Sequence, residues 1–148
     1  MNLRSSLPLD RWKSGVLVVE DNSKIVLGPF LCLGKADNAM AASHSNPSRI
    51  NTLPFGDHPF GTYVIVGIQK DKQPTHSYGP YFLLLEPFSG DALVAKYNGR
   101  VGLAIHGGDL NANGSLRATE GCLRTTNDAV TQIVSRIKIG DYYICELG

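Results

Sequence analysis

A histidine and a cysteine that could work together stand in the stretch 101–124, VGLAIHGGDLNANGSLRATEGCLR. An apolar run ends at His106, a Gly/Asn-rich loop follows, and the stretch closes on Thr119-Glu120-Gly121-Cys122-Leu123-Arg124. A thiol becomes a nucleophile when a base takes its proton and the backbone around it can stabilise what it attacks. His106 supplies the imidazole. Gly121 permits a tight turn, so that the amides of Gly121 and Cys122 can point one way as an oxyanion hole, an arrangement typically worth ~3 kcal/mol per donor in the transition state. Arg124 lies on the same cradle, where a guanidinium can hold a substrate carboxylate. Thr119 and the carbonyl near Gly107 are the candidates for orienting the imidazole. Glu120 opposes the chemistry, since a carboxylate beside a thiol disfavours the thiolate unless it faces solvent. A solitary cysteine is most often a buried core residue. What sets Cys122 apart is the whole pattern, strand-His-Gly-Gly followed by Thr-x-Gly-Cys-x-Arg.

These residues need strands to position them. Residues 101–105 read as a buried strand that delivers His106 at its end. After Cys122 a helix is expected, capped by Thr125 or Thr126 with Asp128 at the capping-box position relative to Thr125. Ala129, Val130, Ile133, Val134 and Ile137 give it one apolar face, and Lys138 and Gly140 mark its end. The dipole of a helix starting there would favour a thiolate at Cys122. Upstream, residues 15–20 and 24–33 read as a hairpin around Asp21-Asn22-Ser23, with Pro29 forcing an edge or a bulge. Residues 62–68 and 80–87 read as two more strands about a turn at 71–75, and 142–147 as the last. Asn98-Gly99 carries a hairpin-turn signal. The long irregular stretch 35–57 reads as a surface loop with one helical turn, either functional or a loose connection. The expected architecture is one mainly β domain over residues 1–148, a β-sandwich or open barrel with one helix following the cysteine.

Composition narrows the function. A net charge of +1 gives no broad basic surface, so nucleic acid is not an expected partner. No apolar run approaches the ~18 residues of a membrane span, and the first residues show no secretory h-region. Three cysteines without CxxC spacing do not make a disulfide framework or a zinc finger, although Cys32 and Cys145 could bridge and otherwise belong to the core. A zinc site on His106, Cys122 and a further histidine lacks paired-ligand spacing. No metal or other cofactor is expected. His44 and His58 fall in loop sequence. His76 and Tyr78 precede the strand at Gly79-Pro80-Tyr81, where they would line a cleft or occupy an exposed turn.

The pattern His106, Thr119, Gly121, Cys122, Leu123, Arg124 resembles the L,D-transpeptidase family. Its hallmark is a His, a loop of a dozen or so residues, then Ser/Thr-x-Gly-Cys-apolar-Arg/Asn. Pro59-Phe60-Gly61-Thr62-Tyr63 is similar to the family's Pro-x-Gly-x-aromatic lead-in to a core strand. The resemblance implies the family's β-sandwich, Cys122 as nucleophile, His106 as base, and the Gly121 and Cys122 amides as oxyanion hole; Thr119 joins these as a candidate catalytic residue, and Arg124, Gly107, Tyr81 and His76 are the candidates toward substrate. It implies a peptidoglycan stem peptide as partner. Where the commonest members carry His before the Gly, this chain has Glu120. That version, with Gly79-Pro80-Tyr81 and the small size, resembles a subgroup of antibacterial effectors delivered by type VI secretion, which would act in a target cell's periplasm and meet an immunity protein. A cysteine amidase or deamidase of another substrate, and a non-catalytic binding module, are the competing readings. Arg124 favours the first over the amidase, because a terminal carboxylate needs a cation, and Glu120 keeps the binding module open.

Overall fold

The computed structural model describes every residue of the chain except His76, and for residues 72–75 the backbone only. Eight strands close into a barrel: β1 (Asn2–Leu7), β2 (Gly15–Asp21), β3 (Lys24–Leu33), β4 (Gly61–Thr75), β5 (Gly79–Ser89), β6 (Ala104–His106), β7 (Leu123–Thr125) and β8 (Tyr142–Leu147). Around the barrel the order is β1-β2-β3-β7-β6-β5-β4-β8. Two neighbouring pairs are parallel, β1 with β8 and β6 with β7, and the other pairs run antiparallel. The mainly β expectation holds, with the barrel closed rather than open.

Strand β1 escaped the sequence reading. Its inward positions are Leu3, Ser5 and Leu7, and the polar Ser5 breaks the apolar alternation that would have marked it. The fold accommodates this hydroxyl because it meets the Tyr143 hydroxyl at 2.7 Å. On the outer face Arg4 reaches Glu20 of β2 at 2.7 Å and Glu146 of β8 at 3.0 Å. The expected hairpin is β2–β3, and its register shifts across Gly28-Pro29, where proline cannot donate to a ladder. The supposed turn at 71–75 instead continues β4 to Thr75.

Among the described residues three helices accompany the barrel: α1 (Asn38–Ser43), which falls where one helical turn is expected within 35–57, α2 (Asp91–Tyr97), which is not expected from sequence, and α3 (Asn127–Val134). Asn98-Gly99 ends α2 instead of turning a hairpin: Asn98 is the C-cap and Gly99 takes φ 88°, the left-handed conformation common just past a helix end. α3 starts later than the capping-box reading allows. Thr125 belongs to β7, fully buried, its hydroxyl given to the Leu31 carbonyl at 2.8 Å. Thr126 is the cap, accepting from the Ala129 amide at 3.1 Å. Ala129, Val130 and Ile133 turn inward, and Ile137, just beyond the helix, joins the same core. None of the helices among the described residues is long and apolar enough to cross a membrane.

The stretch 35–57 is an ordered lobe. Asp37 caps α1 through the Met40 amide at 2.9 Å. Farther along, the buried Arg100 guanidinium donates to the carbonyls of Asn51 (2.6 Å), Gly56 (2.6 Å) and Asp57 (2.9 Å). One side chain thereby satisfies several carbonyls that an irregular backbone would otherwise leave unpaired. Replacing Thr126 with Ala is expected to lower stability in urea unfolding by about 1 kcal/mol, the usual cost of losing a cap. A neutral result would mean that α3 is not capped there.

Candidate active site

Register across the parallel pair β6–β7 decides which side chains meet. Ile105 lies opposite Leu123, and both are fully buried in the core. Side chains alternate along a strand, and residues opposite each other share a face. His106 and Arg124 are opposite each other and so face the other way, as does Cys122, one residue ahead of β7. Cys122 is then offset from His106 by roughly one strand spacing (~4.8 Å) across and two residues (~6.6 Å) along. Both line one open cavity of about 660 Å³, with Tyr78, Phe82, Arg117 and Thr119 among its walls.

His106 is 1% exposed. Its Nδ1 lies 2.7 Å from the Gly107 carbonyl. A carbonyl only accepts, so Nδ1 carries the proton and Nε2 keeps its lone pair. The ring is wedged between Phe82, which pairs with it across β5–β6, and Tyr78, whose ring meets it edge-on with centroids 5.2 Å apart. Burial, more than the Gly107 bond that opposes it or the Arg124 charge that assists it, pushes the imidazole down to about 4. The imidazole is neutral at physiological pH.

Cys122 is half-buried. Burial raises its thiol above the ordinary value, a bond from Ala104 and the charge of Arg100 pull the other way, and Glu120 adds a smaller upward push. Glu120 is exposed. The resting Sγ donates to the Gly102 carbonyl at 3.6 Å. The three residues of β7 and the cap Thr126 separate Cys122 from α3, so the cysteine does not stand directly ahead of that helix as expected from sequence.

The cradle differs from the sequence picture in its donors. The Thr119 hydroxyl accepts from the Gly121 amide at 2.9 Å and donates to the Cys122 carbonyl at 2.8 Å. Gly121's amide is therefore engaged, and the Cys122 amide is the cradle's remaining donor. Gly121 must be glycine: its φ is 112°, and a Cβ there would stand 1.8 Å from the Arg100 guanidinium. Thr119 is itself fixed by a parallel bridge to Ala36, with the Asp37 amide on its carbonyl at 2.7 Å.

Arg124 is 3% exposed, and its guanidinium donates to the carbonyls of Arg117 (2.8 Å), Ser77 (2.9 Å) and Gly107 (2.6 Å). It thus ties down the carbonyl that orients His106. Gly107 itself is packed against Asn127, whose Oδ1 a Cβ there would meet at 2.2 Å and which accepts from the Gly108 amide at 2.8 Å. Tyr81 points to the core side of β5, away from the cavity, while its neighbour Phe82 faces in. His76 lies outside the described residues.

Sequence reasoning missed Arg100, Arg117 and His58. Arg100 carries no local signal, because its partners lie more than forty positions upstream. Arg117 reads as an ordinary loop charge. Yet it is half-buried at the cavity wall, and among the described residues its guanidinium makes no hydrogen bond or ion pair. His58, placed by sequence in a loop, is fully buried there. Cys32 and Cys145 are free, buried thiols and form no bridge.

A family model of the L,D-transpeptidase catalytic domain, YkuD, matches residues 13–144. The chain belongs to this family. Among solved structures, it is similar to Bdellovibrio bacteriovorus Bd1075 (16% identity, TM-score 0.56, covering 95% of this chain and 46% of that one). It is also similar to L,D-transpeptidase 1 of Mycobacterium tuberculosis (14%, 0.52, covering 98% and 62%). A third is the ertapenem-acylated catalytic domain of the E. faecium L,D-transpeptidase (11%, 0.53, covering 97% and 95%). At such identities the likeness is one of fold. The chain spans about half the length of the first and under two thirds of the second. No curated protein matches the chain.

For this L,D-transpeptidase domain, the protonation of the pair gives two expectations. Alkylation of Cys122 by iodoacetamide should accelerate steadily from pH 7 to 9, because the thiol starts protonated. A plateau already reached below pH 7 would reveal a preformed thiolate–imidazolium pair and contradict the geometry. The second concerns stability. Folded His106 and His58 titrate at about 4 and about 3, against 6.5 for a free histidine. Below pH 6.5 the unfolded chain therefore binds more protons than the folded one. Stability should fall as the pH drops from 6.5, down to about 4 through His106 and about 3 through His58, by up to about 1.4 kcal/mol per pH unit for each ring within its window. Urea midpoints across that window measure it, and a flat profile would show that the rings are not kept neutral.

Proposed function

We propose that this domain is a cysteine acyl-transfer enzyme acting on peptidoglycan stem peptides. The observation that carries the reading is the pair itself: a neutral imidazole with its Nε2 lone pair unspoken for by Gly107, and a thiol on the same strand face, both lining one open cavity. As Cys122 Sγ bonds to the carbonyl carbon that joins the diamino acid's L-centre to the terminal D-alanine, its proton passes to His106 Nε2. The Cys122 amide stabilises the oxyanion. When the C–N bond breaks, His106 returns the proton to the leaving nitrogen and D-alanine departs. The thioester is then resolved by water, by a D-amino acid or by the amine of a second stem, giving carboxypeptidase, exchange or transpeptidase outcomes.

Arg124, engaged with three carbonyls, acts in this reading through His106 and the loop, while Arg117 takes the free carboxylate of the terminal D-alanine. Tyr78 and Phe82 wall the cleft. The Thr-Glu-Gly-Cys cradle and Gly79-Pro80-Tyr81 support a finer reading, an antibacterial effector of the type VI kind. It would work in the periplasm of a target cell and be neutralised by an immunity protein. The exposure of Glu120 weakens the case for a non-catalytic binding module.

The reading is tested by mixing the domain with a disaccharide-tetrapeptide, with and without D-methionine, and following product masses. Loss or replacement of D-alanine is expected, abolished in Cys122→Ala and His106→Ala. In Arg117→Ala the effect should fall mainly on KM, by about tenfold or more, as for a lost charge-assisted contact. An intact tetrapeptide with an alkylatable Cys122 would instead favour an amidase of another substrate or a binding role.

A further inference from the structure

Behind the cradle lies a fully buried histidine that the reaction above does not use. His58 Nδ1 is 2.9 Å from the Gly121 carbonyl, and its Nε2 is 3.0 Å from the Tyr143 hydroxyl. Tyr143 in turn meets Ser5 Oγ at 2.7 Å. The carbonyl fixes every proton in this chain. Gly121 O accepts, so His58 Nδ1 donates; Nε2 then accepts from Tyr143, and the tyrosine oxygen accepts from Ser5. The row runs Ser5→Tyr143→His58→Gly121, from β1 through β8 to the nucleophile's own loop.

The backbone of His58 is as firmly held as its ring. Its amide donates to the Gly34 carbonyl at 2.8 Å, and its carbonyl accepts from the buried Arg11 at 2.9 Å. The imidazole also stacks on Tyr63, with centroids 5.5 Å apart and planes 17° from parallel. A ring so fixed cannot follow the loop; the loop must conform to it.

What it fixes is a peptide plane. The carbonyl of Gly121 and the amide of Cys122 belong to one trans peptide, so they point in opposite directions. Drawing the carbonyl inward onto His58 turns the Cys122 N–H outward, to the side where Sγ lines the cavity. Because Thr119 already holds the Gly121 amide, that N–H is the cradle's remaining donor. Gly121, at φ 112°, has no Cβ to resist a rotated plane, so the orientation has to be imposed from outside the residue.

We infer that His58 is a positioning residue for the oxyanion hole: through the Gly121 carbonyl it sets the direction of the Cys122 amide. The inference builds on the cysteine acyl-transfer reading but not on the identity of the substrate.

The test compares two reactions of the same thiol. Acylation by p-nitrophenyl acetate passes through an oxyanion; alkylation by iodoacetamide does not. His58→Gln removes the donor from the Nδ1 position, and His58→Asn returns an N–H close to it. In H58Q, acylation should fall by about a hundredfold, the usual consequence of losing an oxyanion donor, with alkylation within about twofold of wild type. H58N should recover most of the acylation rate. Equal losses in both reactions, or none in acylation, would overturn the proposal. Should H58Q not fold, 15N NMR of the wild-type ring decides instead: a protonated Nδ1 and bare Nε2 at pH 7 support it, and the opposite tautomer overturns it. The ester contains no part of a stem peptide. Failure to cleave the tetrapeptide would therefore remove the substrate reading while leaving this comparison decisive.

Discussion

The parallel pairing of two three-residue strands, β6 and β7, is the constraint on which the site depends. Ile105, in the middle of β6, and Leu123, at the start of β7, sink into the core opposite each other, and each apolar side chain so buried contributes on the order of 1.5–3 kcal/mol. That burial fixes the register, because a slip by one residue would exchange the core and cavity faces. His106, Cys122 and Arg124 reach one cavity because their neighbours are held in hydrocarbon. Neither strand could stand alone at this length. β5 supports one through Phe82–Leu84, and β3 supports the other through Cys32 and Leu33.

A second theme is the use of long polar side chains on backbone carbonyls. Arg124 gathers three, Arg100 gathers those of the 51–57 lobe, and His58 and His106 take one each. Loops of irregular backbone leave carbonyls that neither helix nor ladder can satisfy, and a buried guanidinium answers several at once. The same bonds aim the reactive groups. The Gly107 carbonyl receives both His106 and Arg124, so the tautomer of the base and the path of its loop are set together. Both histidines are kept neutral by burial. Under the proposed acyl-transfer reading, a site in which neither partner is charged at rest would rely on proton transfer during attack, not on a standing ion pair.

Much of the chemistry was legible in residues 101–124 alone. A strand ending in His106, glycines around it, and Thr-x-Gly-Cys-x-Arg are local patterns that need no partner from elsewhere, and the family they resemble is the one whose model matches residues 13–144. The hairpin of β2 and β3, the long pair β4 and β5, and α3 were equally local, carried by β-branched runs, turn residues and a three-and-four apolar spacing. Strand β1 was not legible, because Ser5 occupies an inward position that only Tyr143, at the far end of the chain, makes tolerable. α2 was too short for its two buried alanines to show a period.

The sequence by itself determined which groups could react and what kind of scaffold would hold them, since both follow from residue type and short-range periodicity. Only the tertiary structure decided how each polar group is used. It committed the Gly121 amide to Thr119 and the Arg124 fork to three carbonyls, left Arg117 open at the cavity, and carried His58 from an apparent loop into the interior. The physical reason is that a hydrogen bond is a matter of direction and distance between segments far apart in the chain, and a residue's type says only what it can donate or accept.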